Sequence, residues 1–268
     1  NLLNFNMTLE EFKIIFYWKY LHRILARIIG LFIFIPLIFF FVSQKIRKQY
    51  LNTCFLILAL IILQGIIGWY MVKSGLVNNV TVSHYRLSIH LSTAFIIISV
   101  IFWLIKNLNE NKVKKFFLIT LANLPYQMFI LLIFAQIIMG AFVSGLDAGK
   151  IYQTWPLMGE TYFPNDLVLM KLNYTFNFDN HSLVQFYHRN LAYLIIIYSI
   201  VLTMFIIRRK KSILYKPLLI LISFLFLQVI LGIFTLVSGL NIFLASAHQI
   251  TSVLLVFSAL NLYYSSAK

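Results

Sequence analysis

Long apolar runs alternate with short polar links along the whole chain. A helix needs about 20 mostly apolar residues to cross the hydrocarbon core of a bilayer. Runs of about that length predict seven membrane-spanning helices, at residues 23–42, 52–72, 88–105, 117–143, 184–206, 217–238 and 243–264. We number these apolar segments first to seventh. The predicted fold class is therefore all-α, a polytopic membrane protein.

Composition agrees with this prediction. Hydrophobic residues make up 61% of the 268 positions and charged residues 11%, and the mean hydropathy is +0.89. A soluble domain would have about a quarter of its residues charged.

The positive charge is concentrated in three links, after the first, third and fifth segments. The links SQKIRKQ, KNLNENKVKK and RRKKSILYK hold 12 of the 22 Lys and Arg residues. Loops rich in Lys and Arg stay on the cytoplasmic or matrix side, so the net charge of +15 indicates topology and no nucleic-acid partner. Residues 1–21, 73–87 and 147–183 then lie on the outer side. The last stretch is too long for a turn, and we expect a functional cap there.

The sequence also repeats itself. LQGIIGWYMVKSGL, at 63–76, recurs as LQVILGIFTLVSGL, at 227–240, with seven of fourteen positions identical. YLHR, at 20–23, recurs as FYHR, at 186–189. The first three segments therefore match the last three, and the repeat unit is four helices, which predicts a parallel duplication about an axis along the membrane normal.

The repeat divides the chain into two predicted halves, residues 1–116 and 117–268. The fourth segment opens the second half, and its counterpart would fall before Asn1. We therefore expect an eight-helix duplication, two four-helix bundles, of which this sequence holds seven helices and lacks the first.

The first, third, fifth and seventh segments run inward from the outer side, and each carries one histidine in its first turns. These are His22, His90, His188 and His248, and the repeat pairs His22 with His90 and His188 with His248. Two imidazoles facing each other across a four-helix bundle supply the two axial ligands of a bis-histidine haem. The sequence thus predicts two haem sites near the outer face of the membrane. His84 and His181 have no repeat partner, and we expect structural roles for them.

Cations and small residues accompany the histidines. Arg23 and Arg189 directly follow their histidines, and Arg86 precedes His90 by one helical turn. Cations at the membrane surface are suited to hold the two propionates of a haem. Small residues near each site let helices approach closely; they are Gly68, Gly140 and Gly232.

Three functional classes fit these features. The first is an oxidoreductase that modifies haem, the second a dihaem cytochrome that carries electrons, and the third a transporter, in which parallel repeats are common. The long outer loop favours the first, because a lid can sequester a reactive haem periphery. The number of permanently bound haems distinguishes these classes. A haem-modifying oxidoreductase should hold one, a dihaem cytochrome two and a transporter none.

Several stretches together resemble haem A synthases. The resemblance covers residues 7–258 and rests on MTLEEFKIIF, YLHR, GWYMVKSGL, VSHYRLSIHLSTAF, GAFVSGLDAGKIYQTWPLMGE, FYHRNLAYL and SAHQITSVLLV. The chain is most similar to the mitochondrial and alphaproteobacterial branch, which lacks a cysteine pair in the long loop. The one cysteine of this chain, Cys54, lies outside that loop.

The resemblance implies a specific activity. Members oxidise the C8 methyl of haem O to the formyl of haem A for cytochrome oxidase assembly, by successive hydroxylations and loss of water. By motif, His22 and His90, with Arg23 and Arg86, would face the substrate haem O. His188 and His248 would ligate the iron of a haem b cofactor, with Arg189 a candidate for its propionates.

The resemblance also implies partners and a location. The partners are haem O, the farnesyltransferase that makes it, an electron donor of unidentified kind and the lipid bilayer; a homo-oligomer is left open. The location is the bacterial inner membrane or the mitochondrial inner membrane.

One departure concerns catalysis. The family pattern before the first histidine reads Glu-Tyr-x-His-Arg, and here Lys19 occupies the place of the glutamate. A cation cannot act as a carboxylate base. From Lys19 and the missing first helix we therefore expect haem binding to survive while turnover fails.

Overall fold

The structure, a computed structural model, describes residues 7–75, 82–168 and 176–267. These residues form the helices α1 Leu9–Val42, α2 Lys48–Gly75, α3 His84–Glu110, α4 Leu124–Gly145, α5 Asn165–Val168, α6 His181–Arg208, α7 Tyr215–Val237 and α8 Ile242–Ser266. All but α5, a single turn, are long and apolar enough to cross a membrane. The prediction of an all-α protein with seven membrane-spanning helices is confirmed, and no β-strand occurs among the residues described.

Helix α1 begins much earlier than hydropathy predicts, at Leu9. A capping box starts it: the Thr8 hydroxyl accepts from the Glu11 amide at 3.3 Å, and the Glu11 carboxylate accepts from the Thr8 amide at 2.9 Å. The expectation that His22 lies in the first turns of its helix is therefore wrong, since His22 lies near the middle of α1. It still precedes the last residue of α1, Val42, by 20 positions.

Helix α4 begins at Leu124, later than the predicted residue 117. Phe117 has a φ of +59°, which an α-helix cannot accommodate. The side chains of Asn123 and Gln127 both donate to the Leu118 carbonyl at 3.0 Å. Of these apolar residues, Phe117 packs on the protein, with its ring 6.0 Å from that of Tyr263, whereas Leu118, Ile119 and Leu121 are exposed.

The chain forms two compact units, Asn1–Arg86 and Leu87–Lys268. In the first unit α1 packs against α2, for example through the rings of Phe41 and Phe55, 5.3 Å apart. In the second unit α4 packs on α6, α7 packs on α8, and α4 also contacts α8. The predicted halves, 1–116 and 117–268, remain a prediction from the repeat.

The link between α3 and α4 is fixed to the end of α8. The Lys114 ammonium donates to the carbonyls of Tyr264, at 2.9 Å, and Ala267, at 2.5 Å, and lies 4.5 Å from the centre of the Tyr264 ring. The Trp103 indole donates to the Lys114 carbonyl at 2.8 Å. Burial lowers the pKa of Lys114 from its ordinary value. A cation at a helix C-terminus stabilises carbonyls that lack helical partners, so this contact anchors α8 at the end away from His248.

Candidate haem site

His188 and His248 lie in the same compact unit, on α6 and α8. His188 precedes the last residue of its helix, Arg208, by 20 positions, and His248 precedes Ser266 by 18. Both side chains are half-buried, and α4, the helix that His188 contacts, also contacts α8. The structure thus places the two predicted haem b ligands in one compact unit; that they bind iron remains a prediction.

Each of these imidazoles lies against the backbone of a neighbouring helix at a glycine. A Cβ added to Gly140, on α4, would stand 3.2 Å from Cε1 of His188. A Cβ added to Gly232, on α7, would stand 3.0 Å from Cε1 of His248. Only glycine therefore lets the two rings lie this close to the helices that support them.

A glutamine one turn before each glycine contacts the same imidazole. The side-chain nitrogens of Gln136 and Gln228 lie 3.3 Å from Nε2 of His188 and of His248, respectively. Gln136 also donates to the His188 carbonyl at 3.0 Å, and Nδ1 of His248 lies 3.1 Å from the Gln228 carbonyl. Sequence reasoning missed both glutamines, although each stands four residues before a glycine in an apolar segment.

The pair of imidazoles fits a haem. Nδ1–H of His248 donates to the Gln228 carbonyl, which places the lone pair on Nε2, and a neutral imidazole ligates metals through its lone pair. Nδ1 of His188 is buried and has no hydrogen-bond partner among the described residues. No group of three or more His, Cys, Asp and Glu comes together in the part of the chain that was described. Two imidazoles alone lack the further ligands of a protein-only metal centre, whereas they complete the coordination of a porphyrin iron.

Arg189 anchors the long outer loop to α6. Its guanidinium donates to the carbonyls of Thr154 at 2.9 Å, Leu157 at 3.2 Å and Tyr152 at 3.0 Å. The amide of Gln185, one turn earlier, donates to the Tyr152 carbonyl at 2.8 Å. The Nε–H of Arg189 is buried without a hydrogen-bond partner in the described residues. Its expected role toward a propionate remains a prediction, and its visible role is to hold the loop.

The loop makes further contacts that fold it over the unit. The Tyr152 hydroxyl donates to the Asp166 carboxylate at 2.6 Å, and this bond, the largest influence, raises the pKa of Tyr152. Met158 is almost fully buried. A Cβ at Gly149 would stand 2.8 Å from the Leu240 side chain, so the loop also touches the turn between α7 and α8. The described part of residues 147–183 is therefore an ordered cap.

The Arg189→Ala variant should release this cap. Three hydrogen bonds from a charged donor are lost, each typically contributing about 1.5–3 kcal/mol. We expect the amide protons of Met158 and Gly159, which donate to Thr161 and Thr154, to exchange at least about tenfold faster by mass spectrometry. Arg208→Ala, an exposed arginine of the same helix, serves as the control. Unchanged exchange in the Arg189 variant would show that the cap is held by other contacts.

The residues predicted for substrate on α1 are exposed. His22, Arg23 and Lys19 all lie on the surface of the described structure. The Nε–H of Arg23 donates to the Lys19 carbonyl at 3.3 Å, a contact within the helix. Their role toward haem O stays a prediction from the repeat.

Arg86 and His90 lie at the start of α3. The Arg86 guanidinium stacks on the Tyr70 ring at 4.3 Å, and His90 is half-buried. Of the two histidines expected to be structural, His84 is buried and His181 is exposed at the first position of α6.

Comparison with known proteins gives a consistent picture. Residues 1–260 match the sequence profile of the COX15-CtaA family, described as "Cytochrome oxidase assembly protein". The chain is 46% identical to "Heme A synthase" of Pelagibacter ubique, over 99% of this chain and 77% of that protein. It is 40% identical to "Heme A synthase" of Wolbachia pipientis wMel, over 96% of this chain and 72% of that protein. It is 34% identical to "Heme A synthase" of Rickettsia felis, over 96% of this chain and 76% of that protein.

Proposed function

The chain belongs to the COX15-CtaA family of cytochrome oxidase assembly proteins, and from this premise we propose that it is a membrane oxidoreductase of haem A biosynthesis. The observation that carries the proposal is the pair of imidazoles in one compact unit, His188 against Gly140 and His248 against Gly232. Two such rings suit an iron porphyrin, and the names of the relatives point to haem as the molecule on which the protein works.

The proposed reaction is oxidation of the C8 methyl of haem O to the formyl group of haem A. His188 and His248 would hold a haem b cofactor, which supplies a redox centre when bound. The residues proposed for the substrate haem O are His22, His90, Arg23 and Arg86, and this assignment rests on the sequence repeat.

The residues of the cap have a defined part in this proposal. Arg189 follows the proposed ligand His188 directly and holds the carbonyls of residues 152–157. The cap would thereby shield one end of the haem site from water, which protects a reactive porphyrin edge from side reactions. The remaining N–H of Arg189, on Nε, is the donor proposed for a propionate.

The proposed setting is the bacterial or mitochondrial inner membrane, with the sites toward the outer face. The farnesyltransferase that makes haem O would deliver the substrate, and an electron donor or acceptor of unidentified kind would complete the redox balance. Seven helices suited to a membrane support the setting.

Pigment extraction from the purified protein tests the proposal. We expect one haem b that stays bound and one exchangeable haem, with added haem O converted to hydroxylated haem or haem A. Two permanent haems without conversion would indicate an electron carrier, and no stoichiometric haem would indicate a transporter. Either of these outcomes overturns the proposal.

The Lys19→Glu variant should raise turnover of haem O. A carboxylate at this position restores the Glu-Tyr-x-His-Arg pattern and with it a group able to take a proton, and general acid–base groups typically contribute about 10²–10⁴-fold. We expect at least about a tenfold rise in hydroxylated products by chromatography, with unchanged haem b content. Lys13→Glu, an exposed lysine of the same helix, controls for the added negative charge. Equal turnover of the wild type and the Lys19→Glu variant would show that this position has no catalytic role.

A further inference from the structure

We propose that Gln136 and Gln228 are positioning residues that act as latches on the two histidines. Each latch is a side-chain amide that occupies the Nε2 lone pair of its histidine until iron takes it. The proposal rests on the proposed function only in naming haem as the source of the iron.

The same amide contact occurs at both histidines. On α4 the Gln136 amide nitrogen lies 3.3 Å from Nε2 of His188, and on α7 the Gln228 amide nitrogen lies 3.3 Å from Nε2 of His248. In both cases the glycine four residues later makes room for the ring. The same Gln-x-x-x-Gly sequence occurs a third time on α2, at Gln64–Gly68. Three copies of a polar residue at one register position in apolar helices indicate a shared role, since an amide inside a membrane is costly without a partner.

The hydrogen bonds at His248 define which ring nitrogen carries the proton. The Gln228 carbonyl is only an acceptor, so Nδ1, 3.1 Å away, is the protonated nitrogen. Nε2 of the neutral ring is then an acceptor, and the Gln228 amide is the donor that meets it. One glutamine therefore contacts both ring nitrogens and holds the imidazole in the tautomer that ligates iron through Nε2.

The hydrogen bond from each amide to Nε2 contributes little net free energy, so it can break when iron binds. The amide oxygens of Gln136 and Gln228 are buried and accept no hydrogen bond from the described residues. A buried polar atom left unpaired costs free energy, about 1–3 kcal/mol, which offsets much of what the N–H bond to the ring contributes. A lone pair given to iron cannot also accept an amide N–H, so both amides must leave Nε2 when haem binds, while the Nδ1 contact of His248 stays in place.

Two substitutions of Gln228 with opposite expected effects on haem affinity distinguish a latch from a structural residue. In Gln228→Leu the competing amide is gone and the backbone carbonyl still fixes the tautomer. Haem b should bind more tightly, by up to about fivefold, the factor of one full neutral hydrogen bond. In Gln228→Glu the carboxylate can only accept, so Nε2 carries a proton and donates it in a hydrogen bond, and no lone pair is left for iron. Haem b should then bind at least about tenfold more weakly, although Glu is closer to Gln in shape.

The experiment uses the full chain purified without haem in detergent and titrated with haem b. A ¹⁵N-histidine NMR spectrum of the same haem-free samples gives a second readout, with the His248 signals assigned by their loss in His248→Ala. We expect Nδ1–H in the wild type and in Gln228→Leu, and both nitrogens protonated in Gln228→Glu. Gln249→Leu, an exposed glutamine on α8, should match the wild type in both measurements.

Two results would overturn the latch: an equal loss of haem affinity in the Leu and Glu variants, or a wild-type ring protonated on Nε2. If the wild type binds no haem but its NMR spectrum shows the expected tautomers, the proposed function fails while the positioning by Gln228 stands.

Discussion

The His248→Ala variant will lose the low-spin absorbance of bound haem and will bind haem b at least about 100-fold more weakly than the wild type. The imidazole of His248 lies directly against Gly232, and alanine in its place offers the iron no lone pair. Residues that only support a metal ligand typically contribute 10–100-fold to affinity. Loss of the ligand itself should therefore reduce haem affinity by more than that. His188→Ala should behave in the same way, because its ring occupies the equivalent place against Gly140.

The control for this measurement is His181→Ala, since His181 is exposed at the start of α6. A second variant, His248→Met, keeps a ligand of another kind, and His/Met ligation raises the potential of a haem over bis-histidine ligation. A titration in which His248→Ala retains the wild-type spectrum and affinity would remove His248 from the iron site.

The second large effect is expected from Gly232→Ala. The new Cβ would stand 3.0 Å from Cε1, 3.5 Å from Nδ1 and 3.7 Å from Nε2 of His248. Since carbon atoms pack at about 3.5–4.0 Å, the ring must move away from α7, which lengthens the 3.1 Å contact between Nδ1 and the Gln228 carbonyl. Loss of this support should lower haem affinity at least about tenfold, measured by the same titration.

Alanine substitutions at two other glycines should give a graded series of haem affinities. Gly140→Ala places its Cβ 3.2 Å from Cε1 of His188 and should weaken binding less than Gly232→Ala. Gly30→Ala has no heavy atom within 4 Å of the new Cβ; its haem affinity should not change, and its helix should gain about 1 kcal/mol in intrinsic propensity. Equal affinities across all three variants would mean that close ring–backbone packing has no part in haem binding.

Hydropathy was sufficient to predict seven spanning helices, because lipid requires a continuous apolar surface and internally satisfied backbone groups. It was poor at two helix starts. The T-x-x-E capping box, visible at Thr8–Glu11, extends α1 far beyond the apolar run. The apolar run includes residues 117–123, but Phe117 has a φ of +59° and the side chains of Asn123 and Gln127 donate to the Leu118 carbonyl. Hydropathy does not report such backbone features, so it placed the start of α4 too early.

The repeat led to the two histidines of the second unit but not to the groups that hold them. His188 and His248 stand out as ionisable groups in apolar segments. Gln136 and Gln228 are equally unusual there, and their shared spacing to a glycine was available in the sequence. The hold of Arg189 on the carbonyls of residues 152–157 could not be predicted, since it joins positions more than 30 residues apart through backbone groups that every residue carries.

Each imidazole is held by its own pair of helices. His188 lies on α6 and contacts α4, and His248 lies on α8 and contacts α7. The two helix pairs meet where α4 contacts α8 and α6 contacts α7. The separation of the two rings is therefore set by these interfaces, and the glycine and glutamine contacts within each pair set only how each ring is oriented.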